Sequence, residues 1–132
     1  MSTTSTVSKT IWQIILQPSR GVAGVVDDLL MMCRKDNLQL EWQDGRCHLG
    51  SLVGDWEDWI DVPVRKSVFR AILARVATLC NEQRPDSVSL YGGQADLSVG
   101  EPPAVMGVAF VNTPAEQKLL LRLKSTDEVG QV

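Results

Sequence analysis

Between Asp61 and Glu82 the chain reads DVPVRKSVFRAILARVATLCNE, and Val68, Phe69, Ile72, Leu73, Val76, Leu79 and Cys80 recur at three- and four-residue steps. That spacing places them on one face of a helix, and a helix with one apolar face must bury it against another element. Pro63 suits the first helical turn, where its missing N–H costs nothing, and Asp61 just ahead is placed to cap it. A helix is therefore predicted over residues 63–82. Its other face carries Arg65, Lys66, Arg70 and Arg75, with no acid until Glu82. The segments on either side read mostly as strands, so this helix is expected to cover a sheet.

A second helix is predicted near residues 22–35. Val22, Val25, Val26, Leu29, Leu30 and Cys33 follow the helical repeat without a gap, with Asp27 and Asp28 opposite. Arg34 and Lys35 suit the negative pole of its dipole. Ahead of it, Thr10–Gln17 fits either a helix or a strand, and residues 1–9 are Ser/Thr-rich and expected to be loose.

Leu38, Leu40 and Trp42 alternate with Gln39 and Glu41, which is the pattern of a half-buried strand. Gln43-Asp44-Gly45 is a hairpin turn, because Asp-Gly tolerates positive φ, and Arg46–Val53 returns as the partner strand. Trp56, Trp59 and Ile60 lie on a third extended segment. Beyond the long helix, Val88 and Leu90, then Gly92-Gly93, then Leu97 and Val99 suggest a second hairpin. Val105–Val111 and Leu119–Leu123 are the last strands, before a polar end over residues 125–132 that is expected to fray.

With 132 residues the chain is expected to form one domain, over residues 10–124. A net charge of −3 has the wrong sign for a protein that works on nucleic acid or an anionic membrane. No apolar run approaches the ~20 residues that span a bilayer, and MSTTSTVSKT has no signal-peptide pattern. Three cysteines without paired spacing suit a reducing cytoplasm, as small buried hydrophobes.

No residue set announces a reaction. The single histidine, His48, stands beside Cys47, but neighbours on a strand point to opposite faces and cannot share a metal or form a Cys–His pair. A metal site would need further ligands from Cys33 or Cys80, with no spacing to suggest it. Asp55, Glu57, Asp58 and Asp61 read as a solvated surface rather than an acid–base pair. Trp12, Trp42, Trp56 and Trp59 suit core and interface area more than a ligand pocket. No Gly-Lys pair exists to build a phosphate loop.

From Val22 onward the order of segments resembles the PAS-like N-terminal domain of the secretion ATPases, the hexameric motors of bacterial type II secretion and type IV pilus assembly. In that family a helix leads into a strand of the type S-D-I-H-I-E-P, a turn, V-R-x-R-I-D-G and a strand ending in Leu-Pro. A helix, R-R-P-Q-D-G, a strand ending V-S-T and G-E-K-V-V-L-R-L-L come after it. Here Lys35–Trp42 is similar to the first strand, and Gly54–Pro63 spans the stretch from the motif's glycine to Leu-Pro without a gap. Gln83-Arg84-Pro85 stands where Arg-Arg-Pro belongs. Val111-Asn112-Thr113 resembles V-S-T, and Gln117–Leu123 resembles the final strand.

The departures are specific. The arginines of V-R-x-R fall on Leu49 and Ser51, the first arginine of R-R-P on Gln83, and the one ahead of V-S-T on Phe110; Arg84 alone remains. In the family, arginines of this domain reach nucleotide held by the ATPase domain, so their loss removes that chemistry here. The sequence given contains no ATPase domain.

The expectation is therefore an α+β domain: a mostly antiparallel, PAS-like sheet with two main helices packed on it. It is read as a bacterial, cytoplasmic, non-catalytic protein-interaction module. It should need no cofactor or metal, hydrolyse no nucleotide, bind no nucleic acid and insert in no membrane. Its partner is read as secretion or pilus machinery, or another copy of itself. The alternative is a PAS-like small-molecule sensor, with the aromatic and methionine residues lining a pocket. Two docking surfaces are expected: the basic helix face (Arg65, Lys66, Arg70, Arg75) and an exposed edge on the final strand, Gln117–Lys124. The helix face is favoured, because Lys118, Arg122 and Lys124 would blunt an edge.

Overall fold

The computed structural model describes residues 21–33, 37–50, 60–62 and 64–126. Expectations for residues 1–20, Arg34 and Lys35, residues 51–59, Pro63 and the last six residues lie outside them. Trp12, Trp56 and Trp59 and the acids Asp55, Glu57 and Asp58 are in that set.

Helix α1 (Gly21–Met32) buries Val25, Val26, Leu29 and Leu30 and leaves Asp27 and Asp28 exposed, as its repeat predicts. Helix α2 (Lys66–Gln83) buries Phe69, Ile72, Leu73, Val76, Ala77 and Cys80. It starts later than the sequence suggests. Asp61 does not cap it but lies in a strand, and the N-cap is Arg65, in extended conformation and with no side-chain capping bond. Val68, at 36% exposure, sits at the margin of the apolar face, and Ala77 takes an inward position that small size suits.

Six strands form one sheet: β1 (Leu38–Gln43), β2 (Arg46–Gly50), β3 (Ile60–Val62), β4 (Gly92–Val99), β5 (Ala104–Asn112) and β6 (Gln117–Thr126). Their order is β3-β2-β1-β6-β5-β4, and every neighbouring pair is antiparallel. The β1–β2 hairpin turns on Asp44 (φ 54°) and Gly45 (φ 76°), the positive pair that a two-residue turn of matching twist needs. β5 alternates strictly, with Ala104, Met106, Val108, Phe110 and Asn112 buried and the residues between them half-buried. α2 packs against α1 and lies across β4, β5 and β6, so both helices share one face of the sheet.

The core is the layer between. Leu119 pairs with Leu40 on one side and Phe110 on the other, and Leu121 with Leu38 and Val108. Phe69, Ile72 and Leu73 are at most 1% exposed. Burying each such side chain contributes about 1.5–3 kcal/mol before conformational entropy is charged against it.

Two strand readings are corrected. Gly92-Gly93 is not a hairpin turn but the start of β4, which runs unbroken to Val99. The turn sits at Leu90-Tyr91, closed by a bridge between Ser89 and Gly92. Glycine is needed at position 92 because a Cβ there would lie 2.8 Å from the Phe110 carbonyl oxygen. The final strand is not an edge: β6 lies between β1 and β5, and the edges are β3 and β4. Sequence periodicity shows which residues face the core but carries no record of sheet order. β6 also continues through Ser125 and Thr126, which pair with Val105 and Ala104.

Candidate interaction surface

The four cations expected on one face of α2 do not share it. Positions 70 and 75 are five residues apart, about 140° around the helix, so they flank the exposed ridge instead of forming it. Arg65 and Lys66 are exposed at the N-terminal end. Arg70 is half-buried and is used in packing: its Nε donates to Asn112 Oδ1 at 2.9 Å, and Asn112 Nδ2 donates to the Arg70 carbonyl at 3.3 Å. Arg75 is also half-buried, with its Nε shielded from water and without a hydrogen-bond partner among the described residues. The ridge between them is Ser67, Ala71, Ala74 and Thr78, small and uncharged.

Two side-chain amides tie the C-terminal end of α2 to the loop and strand beyond it. Asn81 Nδ2 donates to the Val88 carbonyl at 3.1 Å, and the Val88 N–H donates to Asn81 Oδ1 at 3.0 Å. Gln83 does the same to Ser98 in β4. Arg84 is the C-cap, its N–H donating to the Cys80 carbonyl, with its side chain exposed.

The helices leave the other sheet face uncovered by either of them. On it β5 presents Gly107 and Ala109, and β6 presents Leu120 and Arg122, which pair with them across the ladder. The register shifts by one residue between Val105 and Met106, so Lys124 is the extra residue of a bulge, and bulges re-aim side chains. Lys124 lies over Gly107, where a Cβ would meet its Cδ at 3.0 Å. Its Nζ then reaches Asp96 of β4 at 3.2 Å.

Together these residues form an open groove of about 720 Å³, with Gly107, Ala109 and Leu120 in its lining and Arg84, Arg122, Lys124 and Asp96 at its charged positions. Lys124 and Asp96 are each more than half exposed, so that pair contributes at most about 1 kcal/mol. The Arg84 and Arg122 side chains make no ion pair among the described residues. Three cations against one carboxylate give the groove the opposite sign to the chain's net charge of −3. Of the positions singled out in the sequence, the structure brings Arg84 here together with Leu120, Arg122, Leu123 and Lys124 of the final strand, while Arg65, Lys66, Arg70 and Arg75 are not part of the groove. Arg122 and Lys124, expected to blunt an edge, lie on a strand that is not one. Their alternation with Leu121 and Leu123 is the available signal that they face away from the core.

Cys47 is fully buried, while His48 is half-buried and its Nε2 lies 3.2 Å from the Gln43 carbonyl oxygen. Cys33, Cys47 and Cys80 are buried in the core and form no disulfide, and burial pushes the Cys80 thiol up from its ordinary range. No group of three His, Cys, Asp or Glu side chains among the described residues could hold a metal ion. Trp42 is half-buried and packs on the core. No helix among the described residues is long and apolar enough to cross a membrane.

No model of a known protein family matches the chain, and no curated protein matches it.

Proposed function

We propose that this chain is a non-catalytic protein-interaction module that engages an acidic partner in the groove on the sheet face that α1 and α2 leave open. One observation carries this reading: Arg84 and Arg122, neither in an ion pair among the described residues, stand on the same groove beside Lys124. Arginine presents a planar fork of donors that matches a carboxylate, and an unpaired fork at a concave site is a binding asset. The helix surface is the weaker choice, because Arg70 is committed to Asn112 and Arg75 lies on the far flank. The segment order shared with the N-terminal domain of the secretion and pilus-assembly motors suggests a component of such machinery as the partner.

The test compares two charge reversals against a labelled oligoglutamate peptide. Arg84→Glu with Arg122→Glu should weaken binding by about tenfold or more and flatten its salt dependence. Arg65→Glu with Lys66→Glu should leave both unchanged. Loss of binding in the second pair alone would move the site to the helix.

A further inference from the structure

Among the described residues strand β4 is an edge of the sheet, and the chain itself has closed that edge at two points. Gln83 takes both backbone groups of Ser98, which therefore face away from β5. At the other end Ser89 donates its N–H to the Gly92 carbonyl at 3.2 Å, so Gly92 also faces outward. Along an antiparallel strand the direction of the backbone groups alternates with a period of two. Gln94 and Asp96 lie between these points at the same parity, so their N–H and C=O groups also face away from β5. No hydrogen bond meets these groups among the described residues. The side chains of Gln94 and Asp96 lie on the face away from α1 and α2, and both line the cation-rimmed groove.

We infer that the partner binds as an extended acidic segment that adds a strand antiparallel to β4, pairing with the backbone of Gln94 and Asp96 and turning its carboxylates toward the groove that Arg84, Arg122 and Lys124 rim. This rests on the acidic-partner reading above and adds to it the conformation of the segment and the backbone groups that hold it. An added strand lies about 4.8 Å from β4, and alternate side chains fall on the groove side. Residues that hydrogen-bond to Gln94 and Asp96 put their own side chains on that same face. A segment alternating acidic and uncharged residues therefore satisfies ladder and charge together. A second copy of this chain fits less well, since pairing two β4 edges would set one Arg84, Arg122 and Lys124 set against another.

The probe is a labelled peptide of about eight residues that alternates Thr and Glu. Three relatives accompany it: one N-methylated at every Glu, one N-methylated at every Thr, and one with Gln for every Glu. N-methylation at Glu removes the donors that face β4 and should weaken binding by about tenfold or more, while N-methylation at Thr should stay within about twofold. The Gln peptide should also lose about tenfold. In the protein, Gln94→Pro removes an outward N–H without breaking the ladder to β5, so it should weaken the parent peptide while the fold survives by circular dichroism. If both N-methylated peptides bind like the parent, strand addition is wrong and the charge reading stands. If the Gln peptide binds as well as the parent, the acidic reading is wrong. Absence of parent binding up to about 1 mM overturns both. A dimer in sedimentation that Gln94→Pro dissolves would mean that the edge serves a second copy instead.

Discussion

The Gln83 side chain acts toward Ser98 as a neighbouring strand would: Nε2 donates to the Ser98 carbonyl at 3.0 Å and Oε1 accepts the Ser98 N–H at 2.8 Å. A primary amide carries a donor and an acceptor at nearly the spacing of a peptide group, which is why it can close a sheet edge. Gln83→Ala leaves both Ser98 groups to water. Because the site is exposed, the cost to stability should be small, about 1 kcal/mol. The sharper readout is hydrogen exchange, where protection of the Ser98 amide should fall while that of Leu97, bonded into β5, holds.

Asn81 makes the same two-bond clip to Val88, and there the groups are partly buried. Ser87 adds to it, with its Oγ donating to the Cys80 carbonyl at 3.0 Å. Asn81→Ala strands a partly buried donor and acceptor, so it should lower the free energy of unfolding by about 1–2 kcal/mol in urea. Asn81→Asp keeps the acceptor and should cost less. Equal losses in the two variants would mean that the donor arm carries the clip.

Arg70 and Asn112 form a reciprocal pair between α2 and β5, and Asn112 is only 7% exposed. Arg70→Ala and Asn112→Ala should each destabilise by about 1–2 kcal/mol, and the double variant by less than their sum. Additive losses would show that the two side chains stabilise the fold separately. Arg70→Lys should not restore the wild type, because the bond uses Nε of the guanidinium.

Burial holds the Cys80 thiol protonated in the folded protein and pushes its pKa above the ordinary thiol range. A raised folded-state value means that this contribution to stability is complete below the unfolded pKa and is lost as pH rises through the folded one. Unfolding free energy should therefore fall as pH climbs past the ordinary thiol range, and Cys80→Ala should have a shallower alkaline slope. An equal slope in the variant would assign the alkaline loss to other groups. All three thiols should resist an aromatic disulfide reagent until the protein unfolds, since each is buried.

Periodicity made the two helices and the β1–β2 turn legible, because the burial of Val25, Leu29, Phe69 and Ile72 leaves a repeating trace in the chain. It could not show that β6 would enter the middle of the sheet, since Leu119 and Leu121 alternate alike at an edge or at the centre. The Gly92-Gly93 pair misled for a related reason: glycine marks a turn or a close approach of backbones, and here Phe110 supplies the approach. The groove was illegible because its charged residues come from the end of α2, from β4 and from β6. Only the sheet order and the bulge at Lys124 bring them together. The basic stripe on α2 fails for a different reason: Arg70 and Arg75 are near in sequence but far apart around the helix.

The position of β6 sets a condition on how the protein can be made. β1 and β2 can pair as soon as both exist, and so can β4 and β5, but among the described residues no strand pairing joins these two halves of the sheet until residues 117–121 have been synthesised. A ribosome still short of that point carries a chain with two unfinished sheet fragments, each with an open edge on the side that β6 will fill. Assembly of the sheet thus waits on β6, and the nascent chain is most exposed to mispairing just before that strand emerges.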